Sequence, residues 1–147
     1  VTVESVAYYS LTDSVSRKKM IRATKTMSTN LMEFAASNSI EVSGSPFTIY
    51  HFWDGKTTKM ECGIPVTDNS FEGKKGITAG STYAGNALKT THLGGYKNSE
   101  KAHNAIGDYL EINGNVFIGA PWEVYLKGPM NESDTSKWIT EIYYPID

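Results

Sequence analysis

Gly44-Ser45-Pro46-Phe47-Thr48-Ile49-Tyr50 and Gly119-Ala120-Pro121-Trp122-Glu123-Val124-Tyr125 stand 75 residues apart and share one pattern, Gly-x-Pro-aromatic followed by a strand-like run to Tyr. Carried backwards, the same offset pairs Asn38 with Asn113, Phe34 with Tyr109, Leu31 with Ile106 and Met27 with Ala102. Forwards, Glu61-Cys62-Gly63-Ile64-Pro65-Val66 matches Glu141-Ile142-Tyr143-Tyr144-Pro145-Ile146 at an offset of 80. A fixed period of this kind predicts duplicated structural units rather than one irregular fold. The expectation is α+β: tandem β-α-β-β repeats, about 1–72 and 73–147, related by a pseudo-twofold within a single domain. Antiparallel sheets would carry helices on one face and a ligand groove on the other.

Local signals fill in each unit. Val6 to Leu11 is rich in β-formers, and the polar Thr12-Asp13-Ser14 reads as its end. A helix is expected from about Ser16 to Ser37, because Met20, Thr24, Met27, Leu31 and Phe34 recur in steps of four and three. Phe47 to Trp53 and Lys59 to Val66 flank Asp54-Gly55, a hairpin turn. Thr67 to Gly80 reads as a connector. Thr82 to Leu93 is the leading strand of the second unit. Its helix is capped by Asn98 with Glu100 in the first turn, and it presents Ala102, Ile106, Tyr109 and Leu110 before Asn113-Gly114 stops it. Trp122 to Leu126 and Lys137 to Ile146 close the fold.

Composition narrows the function. The chain has 147 residues, 14 Lys+Arg against 16 Asp+Glu, and a net charge of -2. That balance argues against direct nucleic-acid binding. One cysteine excludes a disulfide framework or a Cys-rich zinc site. His51, His92 and His103 lack metal-ligand spacing, so neither metal nor cofactor is implied. No apolar run approaches the roughly 20 residues that span a bilayer, and no leader pattern opens the chain, so a cytoplasmic protein is expected. The first residue is Val, which leaves room for a fused domain ahead of it.

In the last strand, alternation sends Glu141, Tyr143 and Pro145 to one face and Ile142, Tyr144 and Ile146 to the other. The aliphatic set suits the helix side. Glu141 beside Tyr143, with Tyr125 and Trp122 from the neighbouring strand, is then a carboxylate in an aromatic groove. Glu61 and Tyr50 occupy the equivalent places in the first unit, with Trp53 near its hairpin as a further candidate. Desolvation makes such a carboxylate select a cation, and each aromatic face adds about 0.5 to 2 kcal/mol of cation–π attraction. Non-catalytic binding of hydrophobic or cationic small molecules is the first expectation. The alternative is a hydrolase of electrophilic compounds, with Glu141 as general base and a tyrosine, Tyr125, as acid. A protein-interaction module is a third class.

His92-Leu93-Gly94-Gly95-Tyr96, Pro121-Trp122-Glu123-Val124-Tyr125 and Thr140-Glu141-Ile142-Tyr143-Tyr144-Pro145-Ile146 together resemble the gyrase-inhibitor-like (GyrI-like) effector-binding domains. The likeness is best over about residues 80–147. It implies paired β-α-β-β units with a ligand groove between them, used for drug or effector sensing in transcription regulation, alone or fused to other domains. It maps that family's central glutamate onto Glu141 and the tyrosine of the preceding strand onto Tyr125. Some members look to be hydrolases using a glutamate with a tyrosine. The small run Ala84-Gly85-Asn86-Ala87 departs from the large or basic residue that the family often carries there.

Overall fold

The hairpin between Phe47–Trp53 (β3) and Thr57–Pro65 (β4) shows how local chemistry sets the architecture. Asp54 Oδ1 accepts hydrogen bonds from the backbone N–H of Lys56 at 2.9 Å and Thr57 at 2.7 Å, while Gly55 takes φ +87°. The Asp-Gly turn thus reverses the chain as expected. The computed structural model describes residues 1–71, 76–95, 99–114, 116–128 and 131–147. The other strands are Thr2–Val3 (β1), Ala7–Ser16 (β2), Thr78–Ser81 (β5), Gly85–Leu93 (β6), Trp122–Lys127 (β7) and Ile139–Pro145 (β8). The helices are Met20–Ser37 (α1) and Ser99–Asn113 (α2).

Among the described residues, eight strands join one antiparallel sheet in the order β1-β6-β8-β7-β3-β4-β2-β5, so a single sheet replaces the separate sheets expected. Thr12-Asp13-Ser14 continues β2 instead of ending it. Those residues pair with Glu61, Met60 and Lys59 of β4, because exposed polar residues cost nothing on the outer end of a ladder. The segment expected as one strand from Thr82 begins only at Gly85, whose φ is +144°, and the end of the connector forms β5 against β2.

α1 starts after a 3-10 turn, Arg17–Lys19, and buries Thr24, Met27, Ser28, Leu31, Phe34 and Ala35. These side chains meet Tyr9, Met60, Cys62, Ile64 and Val66 in the larger core. Cys62 is a packed core residue whose thiol burial pushes up to about 11. The second core is smaller: Ile106 and Leu110 of α2 on Ile142. Tyr109, expected on the same face, is instead half exposed, one step round the helix from Leu110. Gly114 ends α2 with φ +69°. Asn98 lies outside the described residues, as does the side chain of Glu100.

Candidate functional site

Strand register decides which side chains share a face. Cys62, Thr48, Glu123 and Ile142 are successive cross-strand partners on β4, β3, β7 and β8. Cys62 packs under α1 and Ile142 under α2, so this row, Glu123 included, faces the helices. The adjacent rows face away from them. One runs Glu61, Ile49, Trp122, Tyr143, Lys89, and the other runs Gly63, Phe47, Val124, Glu141, Thr91.

On this open face the expected Glu141, Tyr143 and Trp122 come together. Trp122 and Tyr143 stack with ring centroids 5.0 Å apart and planes 3° from parallel, and Tyr83 tilts onto Trp122 at 5.8 Å. Tyr143 donates its hydroxyl to Glu141 Oε1 at 3.2 Å. Lys89, from β6, forms an ion pair with Glu141 Oε2, and its ammonium lies 5.8 Å from the Tyr143 ring centroid. The hydrogen bond to Glu141 is the main influence holding the Lys89 ammonium above its usual range. Burial and the neighbouring Glu141 charge raise Tyr143.

Glu61 also stands on the open face, three strands from Glu141. At about 4.8 Å per strand this is about 14 Å, so the two carboxylates mark different ends of the face rather than one shared centre. Glu61 accepts from Ser10 Oγ at 2.6 Å, Tyr8 Oη at 3.0 Å and His51 Nε2 at 2.7 Å. Burial pushes its carboxyl up, but the hydrogen bonds from Ser10, His51 and Tyr8 outweigh it and hold the group below the usual range. Phe47 meets Tyr8 edge-on at 5.2 Å. Its ring lies 2.5 Å from where a Cβ would sit at Gly63, so any side chain there would have to displace the Phe47 ring.

Tyr50 and Tyr125, expected beside the two glutamates, point to the helix face instead. Each stands on its strand two residues from a member of the Cys62–Ile142 row, and a shift of two keeps a side chain on the same face. Tyr50 donates to Glu123 Oε1, its hydroxyl lies 3.4 Å from that of Tyr125, and Tyr125 donates to Thr48 Oγ1 at 2.8 Å. Glu123 is 5% exposed. Its Oε2 lies 3.6 Å from His103 Nε2, and the other ring nitrogen of His103 meets the Tyr144 hydroxyl at 2.5 Å. A small cleft on this same side is lined by Thr24, Lys25 and Ser28 of α1 together with Tyr125 and Asn131. The Trp53 side chain lies outside the described residues.

Sequence reasoning missed Lys89, Glu123, His103, Tyr8, Ser10 and His51. Histidine spacing in the sequence speaks only to metal ligation, and among the described residues no His/Cys/Asp/Glu group could hold a metal ion. Period-2 alternation in β7 pointed to Glu123 sharing a face with Tyr125, but gave no reason to place it at the junction of β3 and β7.

The phenols supply a pH prediction. Burial, then the Glu61 charge, pushes Tyr8 up to about 12. Burial, then Glu123, pushes Tyr144 to about 12 and Tyr50 well above its ordinary value. A phenol whose folded value is raised binds its proton in the native state after the unfolded chain has lost it. Its stabilisation is complete below about pH 10 and disappears as pH climbs toward the folded value, at about 1.4 kcal/mol per pH unit for each such group, less where solvent reaches the ring. Melting temperature is therefore expected to fall steeply from pH 10 to 12, more gently by about one proton in Tyr50→Phe. A flat profile across that window contradicts the buried phenols.

No protein-family model and no curated protein sequence matches the chain. Solved structures do. EcmrR in the cryo-EM structure of its DNA complex in EcmrR-RPo has TM-score 0.90 and 22% identity over 100% of this chain and 56% of that one. The chain thus spans about half the length of that relative. The crystal structure of the EcmrR C-terminal domain matches at TM-score 0.82 and 24% identity, covering 100% and 94%. A hydrolase from Listeria innocua matches at 0.72 and 10%, covering 100% and 90%. SAV2435 bound to tetraphenylphosphonium matches at 0.61 and 14%, covering 100% and 92%. Among the described residues no helix is long and apolar enough to cross a membrane. At these identities the likeness concerns the fold alone: among the described residues, one antiparallel eight-stranded sheet with two helices.

Proposed function

We propose that the chain binds small hydrophobic cations on the open face of its sheet, as an effector-binding unit without direct nucleic-acid contact. The observation that carries this reading is the stacked Trp122–Tyr143 platform beside Glu141. A stacked aromatic pair next to an acidic group suits a ligand that is lipophilic and positively charged. The tetraphenylphosphonium bound to SAV2435, a protein of similar fold, is a ligand of that chemistry. Glu61 extends the acidic character to the far end of the face. Tyr50 and Tyr125 support the sheet from behind. The duplication read from the 75-residue offset belongs to the proposal. Its support is that Thr48 and Glu123, equivalent by that offset, are direct cross-strand partners at the β3–β7 junction.

The hydrolase reading has the Listeria neighbour and the Tyr143–Glu141 hydrogen bond in its favour. Tyr125 is not available as its acid, since that hydroxyl lies on the helix side and donates to Thr48. Glu141 Oε2 is also engaged by the Lys89 ammonium. Binding without turnover therefore fits the geometry better.

The test is a pair of matched ions. Tetraphenylphosphonium should quench tryptophan fluorescence saturably, and the anionic isostere tetraphenylborate should not. Trp122→Ala should abolish most of the quench. Equal response to both ions, or to neither, overturns the reading.

A further inference from the structure

The two glutamates of the open face are compensated differently. Glu141 is paired with a full positive charge, the Lys89 ammonium, which also sits near the Tyr143 ring. The position that a ligand cation would take beside Glu141 and Tyr143 is thus already taken by a side chain of the protein. Displacing it would separate a partly buried ion pair, with Glu141 17% and Lys89 35% exposed at the side chain. Glu61 has no such partner among the described residues. Its donors are two hydroxyls, from Tyr8 and Ser10, and the His51 ring, which carries charge only when protonated. Three donors leave at least one lone-pair direction of the carboxylate open, and the group keeps 13% of its side-chain surface accessible.

We infer that Glu61, rather than Glu141, is the carboxylate that selects the charge of a cationic ligand in this chain, and that Lys89 acts as a tethered cation that occupies the Glu141 end. The inference rests on the open-face reading given above and refines it. Lys89 lies in the same cross-strand row as Glu61, Trp122 and Tyr143. That row therefore runs from a carboxylate paired with no Lys or Arg among the described residues, over a stacked aromatic pair, to a fixed positive charge. The ligand that matches it places its cationic centre toward Glu61 and its aromatic part over Trp122 and Tyr143. At the Lys89 end it presents a neutral or electron-rich group.

The probe is tetraphenylphosphonium, titrated against four forms of the chain. Glu61→Gln is expected to weaken binding about tenfold, the loss of one partly desolvated charge interaction. The paired replacement Lys89→Met with Glu141→Gln removes the ion pair with no change in net charge, and should leave affinity within about twofold. Lys89→Met alone frees Glu141 and should tighten binding about fivefold. The inference is overturned if the paired variant loses as much affinity as Glu61→Gln, or if Lys89→Met fails to tighten binding. Glu61→Gln disturbs Tyr8 and Ser10 as well, so its fold is checked by circular dichroism. Should it not fold, the two Lys89 variants decide alone. Wild type that fails to bind the cation at all overturns the open-face reading, and the inference with it. Wild type that binds while the Glu61 and Lys89 variants behave alike overturns the inference only.

Discussion

Leu31→Ala is expected to lower the unfolding free energy by about 3–4 kcal/mol, the largest effect of any single truncation considered. Leu31 is fully buried at the centre of α1, among Tyr9, Met27, Phe34, Met60, Cys62 and Ile64. Removing three heavy atoms there forfeits their transfer free energy and leaves a cavity. The lining cannot close it, because it is built from a rigid strand pair and a helix. A typical domain has only 5–15 kcal/mol in hand, so the melting temperature should drop by about 10 °C. Ile106→Ala should cost less. It belongs to the smaller cluster, whose buried members among the described residues are Ile106, Leu110 and Ile142. Urea unfolding of both variants, with the wild-type slope retained, measures the difference. Equal losses would show that the two cores are equally tight, contrary to their composition.

The asymmetry between these cores also explains which parts of the fold were legible in the sequence. The stripe Met20, Thr24, Met27, Leu31, Phe34 is strictly periodic, and α1 ends at Ser37 as that stripe requires. β3 runs over Phe47–Trp53 as expected, since a β-rich run ends in an Asp-Gly turn with unambiguous chemistry. Where pattern was weaker, packing decided. β2 runs on through Thr12 to Ser16 because β4 offers partners as far as Thr57, and a ladder partner is invisible to local propensity. The faces of β7 were the costlier error. Trp122 and Val124 are apolar on one side and Tyr125 is aromatic on the other, so alternation alone does not say which set meets the helices. Register does: Val124 opposes Glu141, and Tyr125 opposes Thr140. The same dependence hid Lys89. In Gly85–Leu93 it is one polar residue among several, and only its pairing with Tyr143 carries it to the Glu141 carboxylate.

Tyr50→Phe tests that assignment of faces, and a loss of about 2–3 kcal/mol is expected. The Tyr50 hydroxyl is the donor to Glu123 Oε1, and Glu123 is almost wholly out of solvent. Deleting the hydroxyl leaves that carboxylate oxygen without its phenol donor. The nearest cationic candidate is His103, whose Nε2 lies 3.6 Å from Oε2. A buried acceptor deprived of its donor costs more than the hydrogen bond had contributed, because no water replaces it. For a chain of this size the melting temperature should fall by about 6–9 °C. Glu123→Gln keeps an acceptor for Tyr50 and removes the charge, so the double variant with Tyr50→Phe should lose less than the two singles summed. A coupling of about 1 kcal/mol or more is expected for groups in direct contact. Tetraphenylphosphonium affinity measured on the same Tyr50→Phe protein separates the two roles. If Tyr50 supports the sheet from the helix side, stability falls while affinity stays within about twofold. A variant that melts like wild type but binds about tenfold more weakly would return Tyr50 to the ligand face and overturn the division of the sheet drawn from its register.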